Sequence, residues 1–156
     1  MDDAILFFAT GFGLGWIPLV PGTFGSLLGI PLAWWMLGFS RSSQFGIVAF
    51  LLIVAMPICH VAESLLGGSD PAQIVADEFM AFPIAVLGLS AVRNPWVMAL
   101  AFGLFRLFDI TKPLPIDHIE ALGGGLGIVL DDVMAAIYAW LVLAAILPLW
   151  RRYGRS

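Results

Sequence analysis

The stretch FGIVAFLLIVAMPICHVAESLL, from Phe45 to Leu66, decides the fold. It carries no acid or base before His60 and Glu63, and about 20 mostly apolar residues suffice for a helix to cross a bilayer core. Its residues do not alternate between apolar and polar, as the strands of a membrane barrel must. A second run, LGIVLDDVMAAIYAWLVLAAILPL from Leu126 to Leu149, is equally apolar except for Asp131 and Asp132. Two such runs already predict a helical membrane protein.

Working outward, four shorter apolar pieces fill most of the remaining chain: Ala4 to Leu19, Leu27 to Phe39, Ile74 to Val92, and Trp96 to Ile110. Val20-Pro21-Gly22-Thr23-Phe24-Gly25-Ser26, Arg41-Ser42-Ser43, Gly67-Gly68-Ser69-Asp70-Pro71 and Asn94-Pro95 separate them. Asp70 is placed to cap the helix that follows it. The connection from Thr111 to Gly125 contains Pro113, Pro115 and a glycine run, so no spanning helix is expected there. The expected fold is all-α: a polytopic membrane helical bundle of four to six spans, forming one membrane-embedded domain over residues 1–156.

Composition agrees. Hydrophobic residues make up 61% of the 156, and only 12% are charged, too few to cover a soluble domain of this size. The net charge of −4 argues against a nucleic-acid partner, whose phosphates demand clustered Lys and Arg. It does not argue against a phosphate substrate, because a bound cation can supply positive charge. The single cysteine, Cys59, excludes an internal disulfide framework and a cysteine-rich zinc site. The start Met1-Asp2-Asp3-Ala4 lacks the basic residues of a secretory signal, so the first apolar piece is expected to belong to the folded structure.

The few charges carry the functional information, since ionisable residues in membrane segments are costly and mark functional sites. Asp77 and Glu78 open the fourth apolar piece, Arg106 and Asp109 close the fifth, and Asp131 and Asp132 open the last. A chain that crosses back and forth brings all of them to one face, together with the helix start at Pro21-Gly22-Thr23. Acids gathered in a partly dry site repel one another. A divalent cation relieves that repulsion, and hard oxygen ligands suit Mg²⁺, Mn²⁺ or Ca²⁺. Phosphoryl chemistry needs the same parts: a metal, plus Arg or Lys on the remaining oxygens. Arg106 and Lys112 flank Asp109, and the helix start with Thr23 and Ser26 offers N–H groups and hydroxyls for an anion.

Blander readings stand beside these. Asp77 and Glu78 can favour a helix N-terminus, and Asp131-Asp132 can be an interfacial pair without chemistry. Arg106 and Asp109 can form a structural i, i+3 ion pair, and Gly22 and Gly25 can let helices pack closely. His60 is open between the two kinds of role, and Glu63 leans structural.

These same residues resemble the phosphatidylglycerophosphatase A family. The likeness rests on Gly11-Phe12-Gly13-Leu14-Gly15 running into Val20 to Ser26, on Ile74-Val75-Ala76-Asp77-Glu78-Phe79, on Phe105 to Ile110 with Lys112-Pro113, and on Gly124 to Asp132. Ala81 departs from the pattern, where the family usually has glycine; a methyl group there is expected to crowd the site slightly. The resemblance implies a Mg²⁺-dependent hydrolase of a bacterial inner-membrane type, which converts phosphatidylglycerophosphate to phosphatidylglycerol and phosphate. It further implies that Asp77, Glu78, Asp109, Asp131 and Asp132 are metal ligands, with Asp77, Glu78 and Asp131 also catalytic. Gly22, Thr23, Ser26, Arg106 and Lys112 would contact the substrate. Direct attack by water is favoured over a covalent aspartyl-phosphate.

The alternative is a small cation or proton transporter, for which acids spread through the membrane depth would speak. The basic residues outside the site, Arg41, Arg93, Arg151, Arg152 and Arg155, fall opposite the acids. By the positive-inside tendency that end is cytoplasmic, whereas the family's substrate is expected in the cytoplasmic leaflet. Orientation stays open, as does oligomeric state.

Overall fold

The computed structural model describes residues 1–153, and side chains through Trp150; Arg155 and the side chains of Arg151 and Arg152 lie outside the described residues. All regular elements among them are helical. The helices are α1 (Asp2–Ala9), α2 (Pro21–Leu27), α3 (Gly29–Met36), α4 (Arg41–Leu66), α5 (Ala76–Ala81), α6 (Pro95–Thr111), α7 (Ile116–Glu120) and α8 (Gly124–Tyr153).

Among the described residues two helices, α4 and α8, are long and apolar enough to cross a membrane. The 26 residues of α4 extend about 39 Å at ~1.5 Å per residue. Ser40 caps its start, its hydroxyl accepting from the Ser43 N–H. Phe45, Phe50 and Ile53 point outward and are more than half exposed. An apolar face so open suits lipid, whereas the core helix of a soluble domain hides such a face. The spans expected from the other apolar pieces are not established by any helix of comparable length.

The first piece is corrected most. Its helix ends at Ala9 because Gly11, Phe12 and Gly13 all have positive φ (58°, 59° and 93°), which no α-helix admits. The chain there folds back, and the Val75 N–H donates to the Ala9 carbonyl at 2.8 Å. The second piece starts earlier than expected and forms α2 and α3, separated at Leu28. Pro31, lacking an N–H, removes a hydrogen bond to the preceding turn and accounts for the break.

The fourth piece is also no single helix. After α5 it tightens into 3-10 turns at Phe82–Val86 and Ser90–Val92, with Pro83 and positive-φ Gly88 (72°) interrupting it. Phe82, Ala85 and Val86 are completely buried, between α3, α6 and α8. Its apolarity therefore reflects packing inside the bundle. The loosened backbone is satisfied internally, as a low-dielectric setting requires. Trp140 Nε1 donates to the Leu87 carbonyl at 2.8 Å, and the Gly88 N–H donates to Gln44 Oε1 at 2.9 Å.

The runs α2–α3, α4, 76–92, α6 and α8 travel between two ends of the molecule. One end gathers Gly22, Glu78, Arg106 and Asp131; the other gathers Gly38, Arg41, Gly88 and Arg93. At the first end α2 rests on the segment leading into α5, where a Cβ on Gly25 would stand 2.3 Å from Val75 Cβ. Gly25→Ala should therefore lower stability by about 1–3 kcal/mol, read as an earlier thermal transition in detergent. An unchanged transition would show that this junction is loosely packed.

Candidate active site

At the acid-rich end, the start of α2, the loop before α5, α5 itself, the end of α6 and the start of α8 enclose a cleft of about 440 Å³. Asp77, Glu78, Arg106, Asp109, Lys112, Asp131 and Asp132 all line it, as does Gly22. The six charged residues at the ends of the apolar runs, Asp77, Glu78, Arg106, Asp109, Asp131 and Asp132, thus meet in one cleft.

Two charge groups divide the cleft. In the first, Arg106 Nη1 donates to Glu78 Oε2 at 2.9 Å and also to Asp109 Oδ2. The Ser26 hydroxyl donates to the same Glu78 oxygen. Residues from α2, α5 and α6 are thereby tied into one network, so the i, i+3 ion pair is real but shared with α5. Gly22 lies against this network: a Cβ there would stand 2.5 Å from Glu78 Oε1 and 3.1 Å from Arg106 Nη2. Its small size keeps the guanidinium edge open to the cleft.

In the second group Lys112 Nζ donates at 3.0 Å both to Asp131 Oδ2 and to Glu120 Oε1. Oxygens of Asp70, Glu120 and Asp131 lie within 4.8 Å of one another, a spacing that can hold a metal ion. Burial raises the Asp70 carboxyl pKa, and the nearby Lys112 cation pulls it partly back. Burial disfavours the Lys112 cation, but its hydrogen bonds to Glu120 and Asp131 outweigh that and raise its pKa above the ordinary lysine value.

Between these groups sit Asp77 and Asp132, both lining the cleft and only 5% and 2% exposed. Neither has a cationic side chain as salt-bridge partner among the described residues. Asp77 Oδ1 is buried with no hydrogen-bond partner. A buried carboxylate oxygen without a donor is costly, and a hard divalent cation is the partner such oxygens fit. The rim trio is the tighter geometric cluster, yet Lys112 already serves two of its members. The Asp77–Asp132 pair, with Asp131 beside it, has the greater electrostatic need.

Backbone strain concentrates here. Of the non-glycine residues with positive φ, Val20 (45°), Asp70 (48°) and Lys112 (44°) all line the cleft. Val20 is β-branched, which makes that conformation especially unfavourable, and strain held in place by surrounding structure clusters at functional sites.

Several expected roles shift. Thr23 does not line the cleft, and Ser26, fully buried, positions Glu78 and bonds the Gly22 carbonyl. Asp70 caps nothing: α5 starts at Ala76, and the Asp70 N–H donates to Glu63 Oε1 at 3.2 Å. Glu63 therefore holds the loop. His60 packs under Gly124 and Gly125, where a Cβ would meet it at 3.3 and 2.8 Å. Ala81, at the end of α5 and fully buried, is not part of the cleft lining. The sequence reading missed Asp70 and Glu120 as site residues. Their one signal was being acids in the two connections that meet at this face.

A family profile described as Phosphatidylglycerophosphatase A matches residues 7–147. The chain is similar to the Phosphatidylglycerophosphatase A of Haemophilus influenzae, 41% identical over 145 residues, covering 88% of this chain and 85% of the relative. It is 37% identical to the protein of the same name from Escherichia coli, over 83% of this chain and 75% of that one. A Bacteroides thetaiotaomicron protein with the provisional name phosphatidylinositol-3-phosphatase is 35% identical, over 86% and 88%. No solved structure matches the chain significantly.

Proposed function

The chain belongs to the phosphatidylglycerophosphatase A family, and on that premise we propose that it hydrolyses the phosphate monoester of phosphatidylglycerophosphate, releasing phosphatidylglycerol and phosphate. The observation that carries this reading is the cleft: six acids and two bases around one opening at one end of the bundle. Acids strung through the depth of the bundle, as a transporter path would need, are not what the described residues present.

The cleft also has an apolar rim suited to a lipid. Val20 and Ile110 both line it and are 60% and 67% exposed. Lipid-facing residues at the edge let the headgroup reach the acids while the acyl chains stay in the bilayer. The runs between the two ends support four to six crossings of a bacterial cell membrane.

Mg²⁺ fits the donor set, with Asp77, Asp131 and Asp132 as its holders and Asp70 at the rim. When bound, it supplies the positive charge that offsets the acids and polarises the phosphate. The rest falls to the chain's own groups. Arg106, through the edge that Gly22 leaves open, and Lys112 orient the phosphate oxygens. Glu78 and Asp109 hold Arg106 in place, and Ser26 holds Glu78. An attacking water forms the new P–O bond and gives its proton to a carboxylate of the Asp77–Asp131 group. The glycerol oxygen takes up that proton as its own P–O bond breaks, leaving as a hydroxyl.

Substrate choice tests this. In mixed micelles, phosphatidylglycerophosphate should be hydrolysed faster than phosphatidylinositol 3-phosphate at equal mole fraction. The reverse order would assign the chain to the inositide activity instead. Ile110→Asn should raise KM for the lipid by about fivefold through lost apolar contact, with kcat little altered. A changed kcat with constant KM would remove Ile110 from the lipid path.

A further inference from the structure

A second cavity lies at the end of the molecule opposite the acids. It is a groove of about 640 Å³ along α3 and the turn after it, walled by Ile30, Trp34, Trp35 and Phe39, with Arg93 at its edge. Trp35 and Phe39 stack edge-to-face, 4.8 Å between centroids, and both are exposed. The Arg93 guanidinium sits over the Trp34 ring, 5.8 Å from its centroid, an attraction that orients the cation without neutralising it.

Arg93 differs from the cations of the cleft. Arg106 and Lys112 each hold two carboxylates, whereas Arg93 pairs with none among the described residues. The sequence offers it none: no Asp or Glu occurs between Asp3 and Glu63, between Glu78 and Asp109, or after Asp132. The residues that line this end, from Ile30 to Arg41, from Gly88 to Val97 and from Ala144 to Trp150, include no acid. Arg41 lies at the same end, beside Gly88. Gly38 lines the groove beside the guanidinium, where a Cβ would stand in van der Waals contact, 3.8 Å from Arg93 Nη1.

We infer that this groove binds an anionic glycerophospholipid of the surrounding bilayer, with its phosphate on Arg93 and an acyl chain against Ile30, Trp34 and Phe39. A free anion would use Arg93 but leave the apolar wall unfilled. A zwitterionic lipid would fill the wall but bring its own cation to Arg93. An anionic lipid satisfies both, and aromatic residues with a basic neighbour at a membrane surface are suited to it. The site is separate from the acid cleft and does not depend on the activity there.

The test exchanges purified protein, in non-ionic detergent with EDTA, against phosphatidylglycerol or phosphatidylcholine of identical chains. Bound lipid is counted by native mass spectrometry. The wild type should bind phosphatidylglycerol more tightly than Arg93→Gln does, by about fivefold for one interfacial cation. Phosphatidylcholine binding should be the same in both, and Arg93→Lys should keep the preference. Gly38→Leu, which obstructs the groove while retaining Arg93, should weaken binding of both lipids. Equal phosphatidylglycerol binding in wild type and Arg93→Gln overturns the inference. So does displacement of the bound lipid by inorganic phosphate alone at millimolar concentration.

Discussion

Asp77→Asn lowers kcat for phosphate release by roughly 10²–10³-fold, the scale on which one preorganised electrostatic group acts, and leaves the metal-free protein at least as stable as the wild type. The two halves of this result have one cause. Asp77 is buried beside Asp132 with an oxygen that no donor reaches. Asparagine keeps its shape and removes one of two facing negative charges, so the repulsion that the fold tolerates disappears. The same change removes a ligand for the cation. A thermal transition in EDTA alongside the kinetic assay reads both. A variant that is inactive and also less stable would mean that Asp77 mainly holds the fold together.

Arg106→Gln produces the opposite pairing, with activity and stability falling together. Arg106 is the one cationic side chain that reaches Glu78 and Asp109 among the described residues, and all three are mostly buried. Removing the cation leaves two carboxylates uncompensated, which costs about 3–5 kcal/mol in buried pairs. It also removes the guanidinium edge that Gly22 exposes to the cleft. Arg106→Lys should recover part of the stability but little of the activity, because an ammonium restores the charge and not the two-pronged geometry. A melting temperature unchanged in Arg106→Gln would show that Glu78 and Asp109 find other partners and would remove Arg106 from the core of the account.

Much of the site was legible in the sequence because charge is rare here and direction of travel is countable. Asp77, Glu78, Arg106, Asp109, Asp131 and Asp132 each stand at an end of an apolar run, and runs that reverse direction bring those ends together. Where the argument failed, apolarity had a second cause. The run from Ile74 to Val92 reads like a lipid-facing helix, yet most of its side chains from Ile74 to Val86 are buried by protein, and Pro83 and Gly88 tighten and break it. The run from Ala4 to Leu19 fails at Gly11-Phe12-Gly13, where three left-handed residues in succession turn the chain; a phenylalanine in that conformation is not predictable from its type. Asp70 and Glu120 were hidden because loop acids look like surface acids until the loops are placed. Thr23 was drawn in by its neighbours in the α2 start, and only the helical phase separates it from Gly22 and Ser26.

The most direct test of the account is phosphate release from phosphatidylglycerophosphate by the purified protein, first in EDTA and then with Mg²⁺ restored. The account predicts no release in EDTA and full recovery with Mg²⁺. Undiminished release in EDTA, or no release with Mg²⁺ present, would contradict it.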